Sequence, residues 1–330
     1  MNLGVVISHL TQLFQPKLIG LLLTVSLCAF LISCRPVSKN VQAEPNQAQT
    51  KKSEDKYGPP VIVGTIKSPA VSESSGLVAS RTAPGLYWTH NDSGDGPFIY
   101  AIGSKGESFG IWRVTDANAV DWEDISSGPG PDAKKSYLYI GDIGDNDSSR
   151  TEVVIYRVVE PTPTAADSQV AKSNARITEA AEAIRLRYPD GKHDAETLLI
   201  NPKTGDIYII SKIALDNPTV YEAKAPFVAN KTTTMKSLGQ LKIPSLFGGV
   251  LTGGSVSPDG RRVALVDYFQ GYEIVLPKGS NNFDDIWKER LVPFDFAKRK
   301  QGESITYRLD GRALLGTSEG KGSQIVQVER

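Results

Sequence analysis

One short motif, returning five times, constrains what this chain can fold into: an acidic or small polar residue leading into an apolar strand. It reads Glu73-Ser74-Ser75-Gly76-Leu77, Asp121-Trp122-Glu123-Asp124-Ile125, His193-Asp194-Ala195-Glu196-Thr197-Leu198, Thr252-Gly253-Gly254-Ser255-Val256 and Gly302-Glu303-Ser304-Ile305. Aligning Ser75, Glu123, Glu196, Gly254 and Glu303 gives intervals of 48, 73, 58 and 49 residues by subtraction of their positions. Repeats of roughly 40–50 residues suit four-stranded blades, units that cannot bury their apolar faces alone and must stack on their neighbours. The long interval needs one insertion, which the polar stretch from Pro161-Thr162-Pro163 to Ser173 supplies.

Each repeat continues in the same order. A turn rich in Gly, Pro and Asp, such as Pro258-Asp259-Gly260 or Asp310-Gly311, follows the entrance strand. Second strands come next (Leu86-Tyr87-Trp88, Leu138-Tyr139-Ile140, Ile207-Tyr208-Ile209, Val263-Ala264-Leu265, Ala313-Leu314-Leu315), and then third strands, as in Phe98-Ile99-Tyr100. Fourth strands lie at 109–114, 183–188, 238–243 and 291–296. The fifth repeat reaches Arg330 without a fourth strand, while residues 61–66 form an apolar strand that belongs to no repeat. Pairing the two ends closes a ring and removes open sheet edges. The expected fold is an all-β, five-bladed β-propeller closed by an N-terminal strand, with the segment near residue 63 bonded to that near 326. Six or seven blades is the alternative, if the 73-residue interval hides a degenerate blade. With 330 residues, 40% of them hydrophobic, one globular domain over 59–330 is the economical expectation.

The N-terminus carries a different signal. Lys17 precedes the apolar run Leu18 to Ile32, shorter than the ~20 residues of a membrane span, so residues 1–33 read as a secretory signal. Leu31-Ile32-Ser33-Cys34 resembles the lipobox of bacterial lipoproteins, which implies that Cys34 is lipidated and becomes the mature N-terminus. The resemblance implies a cell-envelope protein held to the membrane by its lipid. With Arg35 rather than Asp next, the outer membrane facing the periplasm is expected if the cell is Gram-negative. Residues 34–58 lack apolar periodicity and read as a flexible tether. Without the signal, 36 basic residues face 37 acidic ones, so nucleic acid is not an expected partner; a monomer is.

Blade strands alternate in direction, so links entering the first strand and links between the second and third share one face, here called the top. That face gathers Glu123, Asp124, Asp194, Glu196 and Glu303 from the entrances, with His90, Asp92 and Asp95 from one link and Asp142 and Asp145 from the next. Lys212 and Asp267 come from later blades. Carboxylates crowded around one axis repel unless protonated, hydrated or neutralised by a cation. Oxygen donors of this kind favour calcium or magnesium. Glu123, Glu196 and Glu303, equivalent in three blades, are the expected calcium ligands; the remaining residues, with His193, are candidates for binding a small ligand or an envelope protein. A histidine beside a carboxylate can also act as general acid or base. No nucleophile elbow, phosphate-cradling glycine loop, HExxH or paired-cysteine motif occurs.

Several strings together (Glu73-Ser74-Ser75-Gly76-Leu77, His90-Asn91-Asp92-Ser93-Gly94-Asp95, Asp121-Trp122-Glu123-Asp124-Ile125, Gly141-Asp142-Ile143-Gly144-Asp145-Asn146, and Arg187-Tyr188-Pro189-Asp190-Gly191 through Asp194-Ala195-Glu196) resemble a family of secreted bacterial propeller proteins of no established function. More distantly, the entrances bearing Glu123, Glu196 and Glu303 resemble those of calcium-dependent apyrases, five-bladed propellers with an axial calcium. That second resemblance implies, as an alternative to binding, a metal-dependent phosphoesterase or nucleotidase.

Overall fold

The computed structural model describes residues 57–245, 248–296 and 299–330. The signal expected over 1–33, Cys34 and most of the tether lie outside the described residues.

Five antiparallel sheets form in the order the repeats require. Blade I comprises Ser74–Ala79, Leu86–Asn91, Phe98–Gly103 and Ser108–Thr115. Blade II comprises Trp122–Gly128, Tyr137–Asp142, Val153–Val159 and Glu182–Arg187, and blade III Ala195–Ile200, Ile207–Ser211, Thr219–Ala223 and Lys236–Gln240. Blade IV comprises Leu251–Val256, Arg262–Asp267, Gly271–Val275 and Val292–Phe294. Blade V takes Thr306–Tyr307, Ala313–Gly316 and Gln324–Glu329 from the C-terminus and Val61–Thr65 from the N-terminus, with Ile62 opposite Val326. The first strands of successive blades pack side by side and return from blade V to blade I, so the ring is closed with five blades.

Second strands are buried along their whole length except at half-buried Leu86, because a blade has a neighbour on both faces. The core accordingly divides by seam. Trp88, Trp112 and Trp122 fill the seam between blades I and II. Tyr139, Ile155, Leu198 and Tyr221 fill the next. Leu199, Tyr208, Leu265 and Tyr272 lie between blades III and IV, and Phe296, Tyr307 and Val326 between IV and V. Leu77, Tyr100, Leu315 and Ile325 complete the circle. Each fully buried side chain of this size contributes about 1.5–3 kcal/mol by leaving water.

The insertion agrees with the five-bladed reading, while the start of the packed domain departs from it. The insertion is no blade: after two 3-10 turns, Ala165–Gln169 and Lys172–Asn174, the strand Arg176–Ala180 adds in parallel to the outer edge of blade I. Packing also begins ahead of Pro59. Tyr57 is buried and donates to Glu273 at 2.5 Å, and Gly58 N donates to Glu329 O at 2.7 Å.

Candidate functional site

Four entrance strands share one irregularity. The pairing register slips between Ser74 and Leu77, Trp122 and Asp124, Ala195 and Thr197, and Leu251 and Gly253. A bulge of this kind bends a strand and re-aims a side chain, and the residues on it are Ser75-Gly76, Glu123, Glu196 and Thr252. Two become stitches to the next blade: Ser75 Oγ donates to Glu123 O at 2.7 Å and Thr252 Oγ1 to Gly302 O at 2.9 Å. The other two carry carboxylates to the channel mouth.

There the structure brings the three expected glutamates into electrostatic contact. Glu123 and Glu303 are only 5% and 6% exposed. Burial, and after it the charge of Glu196, pushes both carboxyls well above the usual range. Glu196 is pushed up to about 7 by burial, against the opposing pull of Lys212. The Lys212 ammonium donates to Glu196 Oε1 and to Tyr268 Oη at 3.0 Å. Burial opposes its charge, but Glu196 and Tyr268 more than compensate and raise its pKa well above the ordinary lysine value. Lys212 is therefore an internal counter-cation of the mouth rather than a free anchor for an anionic ligand, and it holds one oxygen of Glu196, whose Oε2 has no partner among the described residues.

Asp92 and Asp121 join Glu123 on the blade I and II side. One oxygen from each lies within 4.8 Å of the others. Burial, then the charges of Asp92 and Asp194, pushes Asp121 up to about 6. Asp121 opens the blade II entrance and outranks most of the residues expected to bind. Asp194 accepts from Asp145 N at 2.8 Å and faces the same group of charges.

The other expected binding residues form scaffold. Asp124 is 1% exposed and accepts from Ile125 N at 2.8 Å, Leu198 N at 3.0 Å and Gly254 N at 3.3 Å, so one carboxylate laces blades II, III and IV beneath the mouth. Asp142 pairs with Arg150 at 2.7 Å and accepts from the amides of Val120 and Asp121. Asp145 caps its own link through Ser149 N and Arg150 N. Asp95 is held by Lys172 and by Tyr100 Oη, and Asp267 by Tyr272 Oη and two turn amides. His90 is fully buried edge-on to Trp122 with Nδ1 on Asn91 O, and burial lowers its pKa, so it is a neutral ring within a seam. His193 bonds Asp190 and Tyr221 and packs on Tyr188, away from the glutamates. A short polar residue at a tight link finds backbone amides before it finds a ligand.

Sequence reasoning missed Tyr268 and Arg299. Tyr268 follows Asp267 on a top-face link and was locatable by the same topological argument. Arg299 lay hidden in an irregular link: it is half-buried, donates to the carbonyls of Phe296, Ser304 and Asp267, and faces Glu303.

No protein-family model matches the chain, and no curated protein does. Among solved structures it is similar to a chain of a crystal structure of a nidogen/laminin complex, at 12% identity and a TM-score of 0.42, covering 75% of this chain and 73% of that one. The class is settled by the sheets themselves: a five-bladed β-propeller closed by its N-terminal strand. Ligands and proteins alike bind to folds of this class.

Proposed function

We propose that this is a lipid-anchored cell-envelope protein that binds a ligand or partner protein on its top face, which a calcium ion organises. The observation that supports the reading is the concentration of buried carboxylate at the mouth. Among the described residues, Glu123, Glu196 and Glu303, with Asp92, Asp121 and Asp194 around them, face Lys212 and Arg299 as the nearby cations not already committed to another acid outside the group. Clustered carboxylates of that number are costly unless a cation spreads their charge. Lipidation of Cys34 would hold the propeller at the membrane, with the tether setting its reach.

Thermal unfolding of the full chain in detergent tests the cation. Protein stripped with chelator should melt at lower temperature than protein in excess calcium, and an unchanged melting temperature would remove the reading. Labelled fatty acid should be incorporated into the wild type and not into Cys34→Ser. The apyrase-like alternative predicts turnover of a nucleotide or phosphate-ester panel with calcium; Lys212 is bonded to Glu196 and His193 lies within an aromatic cluster, so neither is set to activate water.

A further inference from the structure

The proposed cation has two candidate seats: among the three glutamates, or between blades I and II. We infer that Asp92, Asp121 and Glu123 form a calcium site in the second position. This rests on the cation-organised reading of the top face and goes beyond it by naming the ligands.

The three carboxylates present oxygens within 4.8 Å of one another. Oxygens on opposite sides of calcium, at about 2.4 Å each, stand up to about 4.8 Å apart. The group thus accommodates calcium as it stands. Glu123 is 5% exposed, yet among the described residues its carboxylate accepts no hydrogen bond. A buried carboxylate normally has partners; Glu303 shares this lack, but Glu123 has the oxygens of Asp92 and Asp121 within reach of one ion. Asp121 likewise accepts none among the described residues, while Asp92 uses one oxygen for Ser93 N at 2.6 Å.

Backbone close approach completes the seat. A Cβ added at Gly144 would collide with Asp121 Oδ2 and Glu123 Oε1, so only glycine lets the blade II link lie against both carboxylates. The alternative seat already contains a cation, although Glu196 Oε2 has no hydrogen-bond partner there among the described residues. Glu196 holds the Lys212 ammonium, and a divalent ion placed there would be repelled by that charge. Asp92 and Asp121 are half-buried, which leaves the remaining coordination positions of the ion open to water or to a ligand oxygen at the mouth.

Calorimetric titration of calcium into the chelator-stripped full chain in detergent tests the assignment, with Asp92→Asn, Asp121→Asn, Gly144→Ala and Glu303→Gln compared with the wild type. Loss of a first-rank ligand should weaken calcium by at least ~10-fold in Asp92→Asn and Asp121→Asn, and Gly144→Ala should do the same by filling the seat. Glu303→Gln should change affinity by less than about 3-fold. Asp92 lies on a link and, among the described residues, its carboxylate accepts a hydrogen bond only from the neighbouring Ser93 amide, so its variant reads the site even if Asp121→Asn folds poorly. Calcium binding that survives in Asp92→Asn and Asp121→Asn but is lost in Glu303→Gln would overturn this assignment and leave the cation-organised reading in place. No heat and no stabilisation with wild-type protein would overturn both.

Discussion

The two halves of the channel mouth solve one problem differently. Glu123 of blade II and Glu196 of blade III occupy equivalent bulges one repeat apart. Glu196 meets a lysine from its own second-to-third link, which also bonds Tyr268 of the next blade. Glu123 meets a glycine at its own link, Gly144, and two further carboxylates. A repeated backbone delivers the same acid to the same place; the residue on the facing link decides whether that acid is neutralised from within or left beside other carboxylates.

Removing the internal cation should break this contrast most severely. Lys212→Met leaves Glu196 buried without its partner and should destabilise the propeller by about 3–5 kcal/mol at pH 8 in chelator, measured by denaturant unfolding. An effect near zero would mean that the pair is not what neutralises the blade III side. Loading the other half should give the next largest effect: calcium at about 100 times its dissociation constant should stabilise the wild type by about 2.7 kcal/mol. Lys212→Met should gain no less, because its blade I and II seat is intact.

Asp124→Asn sharpens the comparison by testing what joins the halves. Its amide nitrogen would face amides that now donate to a carboxylate, and a loss of about 1–3 kcal/mol is expected with calcium affinity retained. Loss of calcium binding at unchanged stability would instead make Asp124 part of the site. The smallest effect concerns Glu303. Its folded-state pKa lies well above its unfolded value, so the stability it contributes is complete below the unfolded pKa of about 4.3 and is lost as pH rises through the folded value. In chelator, the melting temperature of Glu303→Gln should therefore gain on the wild type between pH 5 and pH 8. A constant difference across that range would contradict the burial of a charged Glu303.

Much of the architecture was legible because blades are local objects. Apolar second strands, turn residues and the orphan strand at 61–66 each follow from neighbouring residues, and the strand does pair with the C-terminus as its lack of a blade required. Convergence of Glu123, Glu196 and Glu303 was legible too, since equivalent positions in a ring share a rim. Roles at the mouth were harder. Asp95, Asp142, Asp145 and Asp267 look like ligands in one dimension, but each closes its own link or an adjacent ion pair. Asp121 looked like one more entrance residue until blade I laid Asp92 beside it. Tyr57 looked like tether, although Glu273, 216 positions away, holds it in the core.

By itself the order of residues determined the repeat, the strand alternation and the closure of the ring, because periodic burial and turn chemistry act within a few residues of one another. Which carboxylates are satisfied was decided only in three dimensions. A hydrogen bond or ion pair needs its partner within about 3 Å, and at the mouth those partners come from links on neighbouring blades whose spacing no periodicity records.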